Sequence, residues 1–186
     1  MTDASTGHWD AKAWFRRGMN WSEFLDISRN NVARMRQFYD EFKFSTDVIS
    51  FYRARTPLNV LAIGEDWCPD VVHNLSLMAR LADQIAGMDL RILKRDDNPE
   101  LMERYLTNGA RRIPVFVFFD AALAELGDWR GRCKSADAWI LGEVTRNRKW
   151  EDMSRDELRA FHDEYDRRFW ESYVDETLSE LGRAMQ

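Results

Sequence analysis

A chain of 186 residues, 45% hydrophobic and 32% charged, is long enough for one well-buried core and has the balance of a folded globular domain. A net charge of -5 and a pI near 5.3 speak against nucleic acid as the main partner, because neutralising phosphates needs a basic face. The longest unbroken apolar run, Val115 to Phe119, falls far short of the ~20 residues that span a bilayer, so neither a transmembrane helix nor a membrane partner is expected.

Met1 to Asp10 has neither a basic start nor an apolar segment, so no secretory signal is expected and the cytoplasm is the expected location. Its first eight or so residues are small and polar and are expected to fray. Thiols stay reduced in the cytoplasm. Because Cys68 and Cys133 are the two cysteines, chemistry at sulfur would belong to a free thiol rather than to a disulfide framework. The two are not expected to bridge.

From Trp21 the apolar positions Trp21, Leu25, Val32, Met35, Tyr39 and Phe42 recur at helical spacing, which predicts one amphipathic helix. A short helix around Val48 to Arg53 should end before Pro57, since proline pushes its predecessor out of the α region. Leu58 to Gly64 is a nearly continuous apolar run and reads as a strand buried on both faces. Pro69 then opens a helix with one buried face, Val71, Leu75, Met78, Ala82 and Ile85, which Gly87 stops.

Leu90 to Leu93 is the next strand. Asn98-Pro99-Glu100 starts a helix and Asn108-Gly109 should stop it. Ile113 to Phe119 reads as a buried strand, with Leu123 to Trp129 as its hairpin partner across a turn at Asp120. A proline at the second residue of a core strand removes a ladder donor, so Pro114 belongs at the strand's very start or on a special turn. Beyond Arg132 the chain returns to helix. Ser154 to Glu157 forms a capping box, and Leu158, Phe161, Tyr165, Phe169, Tyr173, Leu178 and Leu181 follow on one stripe.

The order β-α-β-α-β-β-α from Leu58 onward, with Trp67-Cys68-Pro69-Asp70 at a strand-to-helix junction and Ile113-Pro114 before a later strand, resembles the thioredoxin superfamily. The runs EDWCPD, LKRDDNPELMERYLTNGARRIPVFVFFD and LGDW look like a subgroup of bacterial thioredoxin-like proteins. The similarity covers about residues 58 to 132 and leaves the flanking helices outside it. It implies an α/β fold, a thioredoxin-like mixed sheet covered by helices. The chain would be a single domain over 1-186, with its core at about 58-150. An N-terminal helical extension would occupy about 10-56 and a C-terminal one about 151-186.

The resemblance makes Cys68 the nucleophile and places Trp67, Pro69, Arg112, Ile113 and Pro114 at the substrate, with the Ile113-Pro114 bond cis and its loop packed on the sulfur. One departure is large. Val71 stands where the second cysteine of the dithiol motif would fall, so a neighbouring thiol cannot release a mixed disulfide. The function implied is thiol-disulfide exchange of monothiol type, with a protein disulfide or S-thiolated protein as partner. Glutathione or another low-molecular-weight thiol would serve as co-substrate, with no resident cofactor. The alternative is a redox-silent binding module of the same fold, whose terminal helices mediate protein contacts or homodimerisation. A third reading has those helices bind a thiol cofactor non-covalently, as in glutathione transferases.

At a helix start, backbone N-H groups and the macrodipole favour a thiolate at Cys68. Arg111 and Arg112 would add to this or grip an acidic partner unless they are merely solvated, Asp66 and Asp70 would oppose it, and the net direction stays open. The bland readings are a small buried residue for Cys68 and a trans proline for Pro114. Trp67 is read as a partial lid over the thiol. His73 lies about 140° round the helix from Cys68 and is read as structural. Cys133 is read as a bystander. A zinc site from Cys68, Cys133, His73 and His162 lacks a close ligand pair, so no metal is expected.

Overall fold

The computed structural model describes residues 10-147 and 152-186, so the frayed start expected before Asp10 lies outside the described residues. Its elements in chain order are α1 (Ala11–Arg17), α2 (Trp21–Ile27), α3 (Val32–Glu41), α4 (Thr46–Arg53), β1 (Leu58–Gly64), α5 (Pro69–Gln84), β2 (Met88–Lys94), α6 (Pro99–Arg104), β3 (Val115–Phe119), β4 (Glu125–Arg130), α7 (Lys134–Asn147), α8 (Arg155–Arg168), a π-helical turn (Phe169–Tyr173) and α9 (Val174–Arg183). The four strands form one sheet in the order β2-β1-β3-β4. β1 runs parallel to β2, with Leu58 opposite Met88, and antiparallel to β3, with Ala62 opposite Phe116. β3 pairs antiparallel with β4. Among the described residues no helix is long and apolar enough to cross a membrane.

The two central strands supply the core. Every residue of β3 is buried, and in β1 only Asn59 is partly exposed, as expected for strands covered on both faces. Helix α5 crosses from β1 to β2 and is more deeply buried than its apolar stripe predicts. Asp70, His73, Asn74 and Ser76 are buried along with Val71, Leu75 and Met78, because α3 and α8 cover the side turned away from the sheet.

The single helix expected from Trp21 to Phe42 is two helices, α2 and α3, separated at Asn31, which adopts a left-handed conformation with φ of 53°. The break is set by Asp66, far away in sequence. Its buried carboxylate accepts the backbone N-H groups of Arg29 at 2.6 Å and Asn30 at 2.8 Å, and the Asn31 side-chain amide donates to its carbonyl at 2.8 Å. Those donors are thereby drawn out of any continuing helix.

Smaller corrections follow from local turns. Helix α6 ends at Arg104, before Asn108-Gly109, and β3 begins at Val115, after the proline pair. The hairpin partner begins at Glu125 because Leu123 sits at φ of 62° within the turn, where Asp120 accepts two backbone N-H groups. The C-terminal stripe is interrupted by the π-helical turn at Phe169 to Tyr173.

The terminal helices pack onto both edges of the sheet. Met19 and Ile92 exchange backbone hydrogen bonds of 2.9 and 2.7 Å at the outer side of β2. Gly127 of β4 lies so close to the end of α9 that an added Cβ would stand 1.9 Å from the Ala184 carbonyl oxygen. The Trp129 indole and the Lys134 backbone N-H both donate to Glu180 of α9.

Burial by itself would raise the Asp66 carboxyl, but the N-H groups of Asn30 and Arg29 hold it below its ordinary value. Asp66→Ala should therefore destabilise the fold by about 2 kcal/mol or more, since charged hydrogen bonds contribute ~1.5–3 kcal/mol and the donors are left unpaired. The stability of wild type over Asp66→Asn should be fully present above the unfolded carboxyl value and shrink as pH falls through the folded one, read as denaturant midpoints.

Candidate active site

Cys68 is the N-cap of α5, in an extended conformation with φ of -86° and ψ of 121°, and Pro69 follows at the first helical position. Proline fits there because its missing N-H would have no helical partner and its fixed φ suits a first turn. The Cys68 carbonyl accepts the N-H groups of Val71 and Val72 at 3.0 Å each, while its own N-H donates to the Glu65 carbonyl at 3.1 Å. These bonds aim the side chain at the loop before β3.

The loop meets it there. The Ile113-Pro114 peptide is cis, and the Cys68 Sγ lies 3.8 Å from the Ile113 carbonyl oxygen, within range of a weak S-H donation. The Pro114 carbonyl in turn accepts the Gly131 N-H at 2.7 Å, which carries the end of β4 to the same place. A second cis bond, Thr56-Pro57, lies just ahead of β1.

The other expected substrate residues divide. Trp67 is 46% exposed, with the Arg95 guanidinium 4.8 Å above its ring, so it stands at the surface beside the buried thiol. Pro69, Ile113 and Pro114 are gathered round the sulfur's helix start and loop. Arg112 is turned to Asp137, with Nη1 3.1 Å from Oδ1, and Arg111 pairs with Glu103. Arg132, one residue past Gly131, offsets part of the thiol's upward shift.

The acidic neighbours also differ from expectation. Asp66, expected to oppose the thiolate, is occupied by the backbone of Arg29 and Asn30. Glu65 accepts the Asp96 N-H at 2.9 Å, and burial pushes its carboxyl up. Asp70 is the carboxylate that bears on the sulfur. Its Oδ1 accepts the Tyr165 hydroxyl at 2.8 Å, and its Oδ2 lies 3.4 Å from Arg132 Nε.

Arg132 and Tyr165 are thus the residues that a reading of the sequence misses. The positive φ of Gly131 brings Arg132 round to α5, and a glycine between two arginines was the available cue. Tyr165 sits on an apolar stripe, with nothing in the sequence to separate it from core aromatics.

His73 is fully buried, with Nε2 2.7 Å from Asp166 Oδ1 and its ring stacked on Phe169 at 4.6 Å, in line with a structural role. Arg34 holds the same carboxylate at 2.6 Å. Cys133 is buried, and both cysteines are free thiols. Among the described residues no group of three or more His, Cys, Asp or Glu is arranged to hold a metal ion.

Two opposing effects act on Cys68, and magnitude decides between them. A helix terminus contributes typically 0.3–1 kcal/mol, less than one pH unit, whereas burial can move a titration by several units. At 8% exposure, burial dominates. It pushes the thiol up, Asp70 pushes it further, and the N-H groups of Val71 and Asp70 with Arg132 offset only part, leaving it at about 11. At pH 7 on the order of one molecule in ten thousand then carries the thiolate. In a Cys133→Ala background, alkylation of Cys68 should accelerate about tenfold per pH unit between pH 7 and 10. A plateau reached below pH 8 would contradict this account.

A family model described as thioredoxin matches residues 18–166, well beyond the strands and into both helical extensions. Among solved structures, the chain is similar to a protein of unknown function, PA1234 from Pseudomonas aeruginosa. The TM-score is 0.66 at 16% identity, over 95% of this chain and 97% of that one. An HIV epitope scaffold is similar at a TM-score of 0.66 and 15% identity, over 92% of this chain and 94% of that one. No curated protein matches the sequence.

Proposed function

Because the chain belongs to the thioredoxin family, we propose that it performs monothiol thiol-disulfide exchange with Cys68 as the nucleophile. The observation that carries this reading is the Cys68 sulfur held at a helix N-cap, 3.8 Å from the Ile113 carbonyl of the cis-Pro114 loop. An extended partner segment laid along the residues before Pro114, beside the exposed Trp67 and above Pro69, would bring its own sulfur to that of Cys68.

The exchange is written in two steps. The Cys68 thiolate attacks the small-thiol sulfur of an S-thiolated protein, the S-S bond there breaks, a Cys68 mixed disulfide forms, and the protein leaves as a thiolate that takes up a proton. A second molecule of small thiol, such as glutathione, attacks as its thiolate. It departs as the oxidised small-thiol disulfide and returns Cys68 to the reduced state. The co-substrate supplies the electrons. With Val71 in the first turn of α5, no second sulfur competes for the intermediate.

A thiol at about 11 is slow at rest, so in this reading the partner exposes it to water or brings a cation beside it on docking. The same protonated thiol favours the second reading, a redox-silent binding module of this fold. Release of glutathione from an S-glutathionylated peptide, driven by free glutathione, separates the two. Exchange predicts a rate above buffer that Cys133→Ala retains and Cys68→Ser abolishes. A wild-type rate equal to buffer leaves the binding module.

Val71→Cys tests the missing half of the motif. Position 71 lies three residues on from Cys68, on the same helix face, and Val71 packs on Gly64, whose added Cβ would meet its γ carbons at 3.1 and 3.2 Å. Cysteine, lacking one γ branch, fits that space. The variant should form a Cys68-to-71 disulfide on oxidation and reduce insulin with dithiothreitol at least tenfold faster than wild type.

A further inference from the structure

Between α3 and α8 three arginines surround a cavity of about 400 Å3. Arg34 comes from α3, and Arg155, Arg159, His162, Asp163 and Asp166 from α8, so the cavity is built apart from the Cys68 helix start and the cis-Pro114 loop. Arg34 is fixed. Its Nη2 donates to both carboxylate oxygens of Asp166, at 2.6 and 2.7 Å, and His73 Nε2 lies 2.7 Å from the same Oδ1. Asp166 is thus occupied by Arg34 and by the fully buried His73. Arg155 and Arg159 are exposed, one turn apart, and form no ion pair with any described residue.

Arginine at these two places works against the helix that carries it. Arg155 is the first residue of α8, where the backbone N-H groups already present positive charge, and a like charge one turn further on adds repulsion. The nearby acids do not resolve this. Glu157 is turned back to the Ser154 N-H in the capping box, at 2.8 Å, and Asp156 and Asp163, three and four positions from Arg159, make no ion pair with it. Elsewhere the chain supplies carboxylates to its arginines, as with Arg111 and Glu103, Arg112 and Asp137, and Arg167 and Glu164. A local rule broken on the rim of a cavity, with no partner on the chain, indicates a partner from outside it.

We propose that the cavity between α3 and α8 binds a phosphate group, free or carried by a small molecule, through Arg155, Arg159 and Arg34. A planar guanidinium matches phosphate oxygens two at a time, and three of them supplied by two helices suit a tetrahedral anion better than a flat carboxylate. Asp166 takes Nη2 of Arg34, which leaves its other nitrogens for the ligand and holds the group in place before the ligand arrives. The N-terminal end of α8 adds its dipole in the same sense. Leu158 is the one aliphatic side chain in the lining, so the site suits a compact charged group rather than a hydrophobic one. Asp163 acts in the opposite direction, because its exposed carboxylate shares the cavity and lowers the affinity.

The test is calorimetric titration of the full chain with inorganic phosphate at low ionic strength, repeated with glycerol 3-phosphate and with acetate, with circular dichroism to verify that each variant folds. One saturable site with a Kd of about 1 mM or tighter is expected. Arg155→Gln and Arg159→Gln should each weaken it about tenfold, the loss of a charged hydrogen bond, and the two together should abolish it. Asp163→Asn should tighten binding, and Arg111→Gln, outside the cavity, should leave it unchanged. Heat without saturation, a double variant that binds as wild type does, an equal loss in Arg111→Gln, or acetate bound as tightly as phosphate overturns the proposal. If the double variant does not fold, Asp163→Asn decides: tighter binding supports the proposal and unchanged binding overturns it. Tighter binding of glycerol 3-phosphate than of phosphate supports the site with an ester as its ligand, and the reverse order supports it with the free ion.

Discussion

Helix α5 is covered on the side facing the sheet and on the opposite side as well, so the polar groups it carries out of water need partners, although His73 Nδ1, Asn74 Oδ1 and Arg80 Nε are left without a hydrogen bond among the described residues. An unpaired buried polar group costs about 1–3 kcal/mol, so this constraint shapes the surroundings of the helix. Ser76 turns back to the Val72 carbonyl at 2.7 Å, and Asn74 to that of Asp70. His73 and Asp70 find no such local solution. They are met by Asp166 and Tyr165, which are consecutive residues on α8. The C-terminal extension is thus specified by two polar contacts as much as by its aromatic stripe, and the ring contacts of Phe38 and Phe169 on His73 close the same seam.

The two halves of the EDWC motif have different duties. Glu65 and Asp66 are architectural, holding the loop before α6 and the turn between α2 and α3. Trp67 and Cys68 face the proline loop and the surface. A motif read as one chemical unit is therefore a hinge pin joined to a thiol, and its acidic residues link the N-terminal helices to the position of the sulfur.

Elements with a strong local cause were legible in the sequence. Leu58 to Gly64 reads as the buried strand it is, Ile113 to Phe119 contains β3 from Val115 on, Pro69 and Pro99 open helices, and Ser154 with Glu157 forms the expected capping box. The facing of Cys68 and the cis-proline loop was legible as well, through the resemblance. What could not be read depends on contacts across long separations. Asp66 breaks a helix thirty-six residues earlier, at Asn30, and Tyr165 reaches Asp70 across ninety-five. The direction of the thiol's shift belongs with these, since it depends on how completely the extensions bury it, and no local pattern states that.

The closures at the rims of the sheet bear on how a partner can approach. A strand edge with free backbone groups invites another chain to add to the sheet, and many proteins bind extended peptides in that way. Here the Met19-Ile92 exchange covers part of one outer strand and the end of α9 leans on Gly127 of the other. A visiting polypeptide meets obstruction at both margins, and at Gly127 even a methyl group would not fit. For the exchange proposed above, recognition would then fall to the few residues around the cis-Pro114 turn rather than to a long backbone ladder.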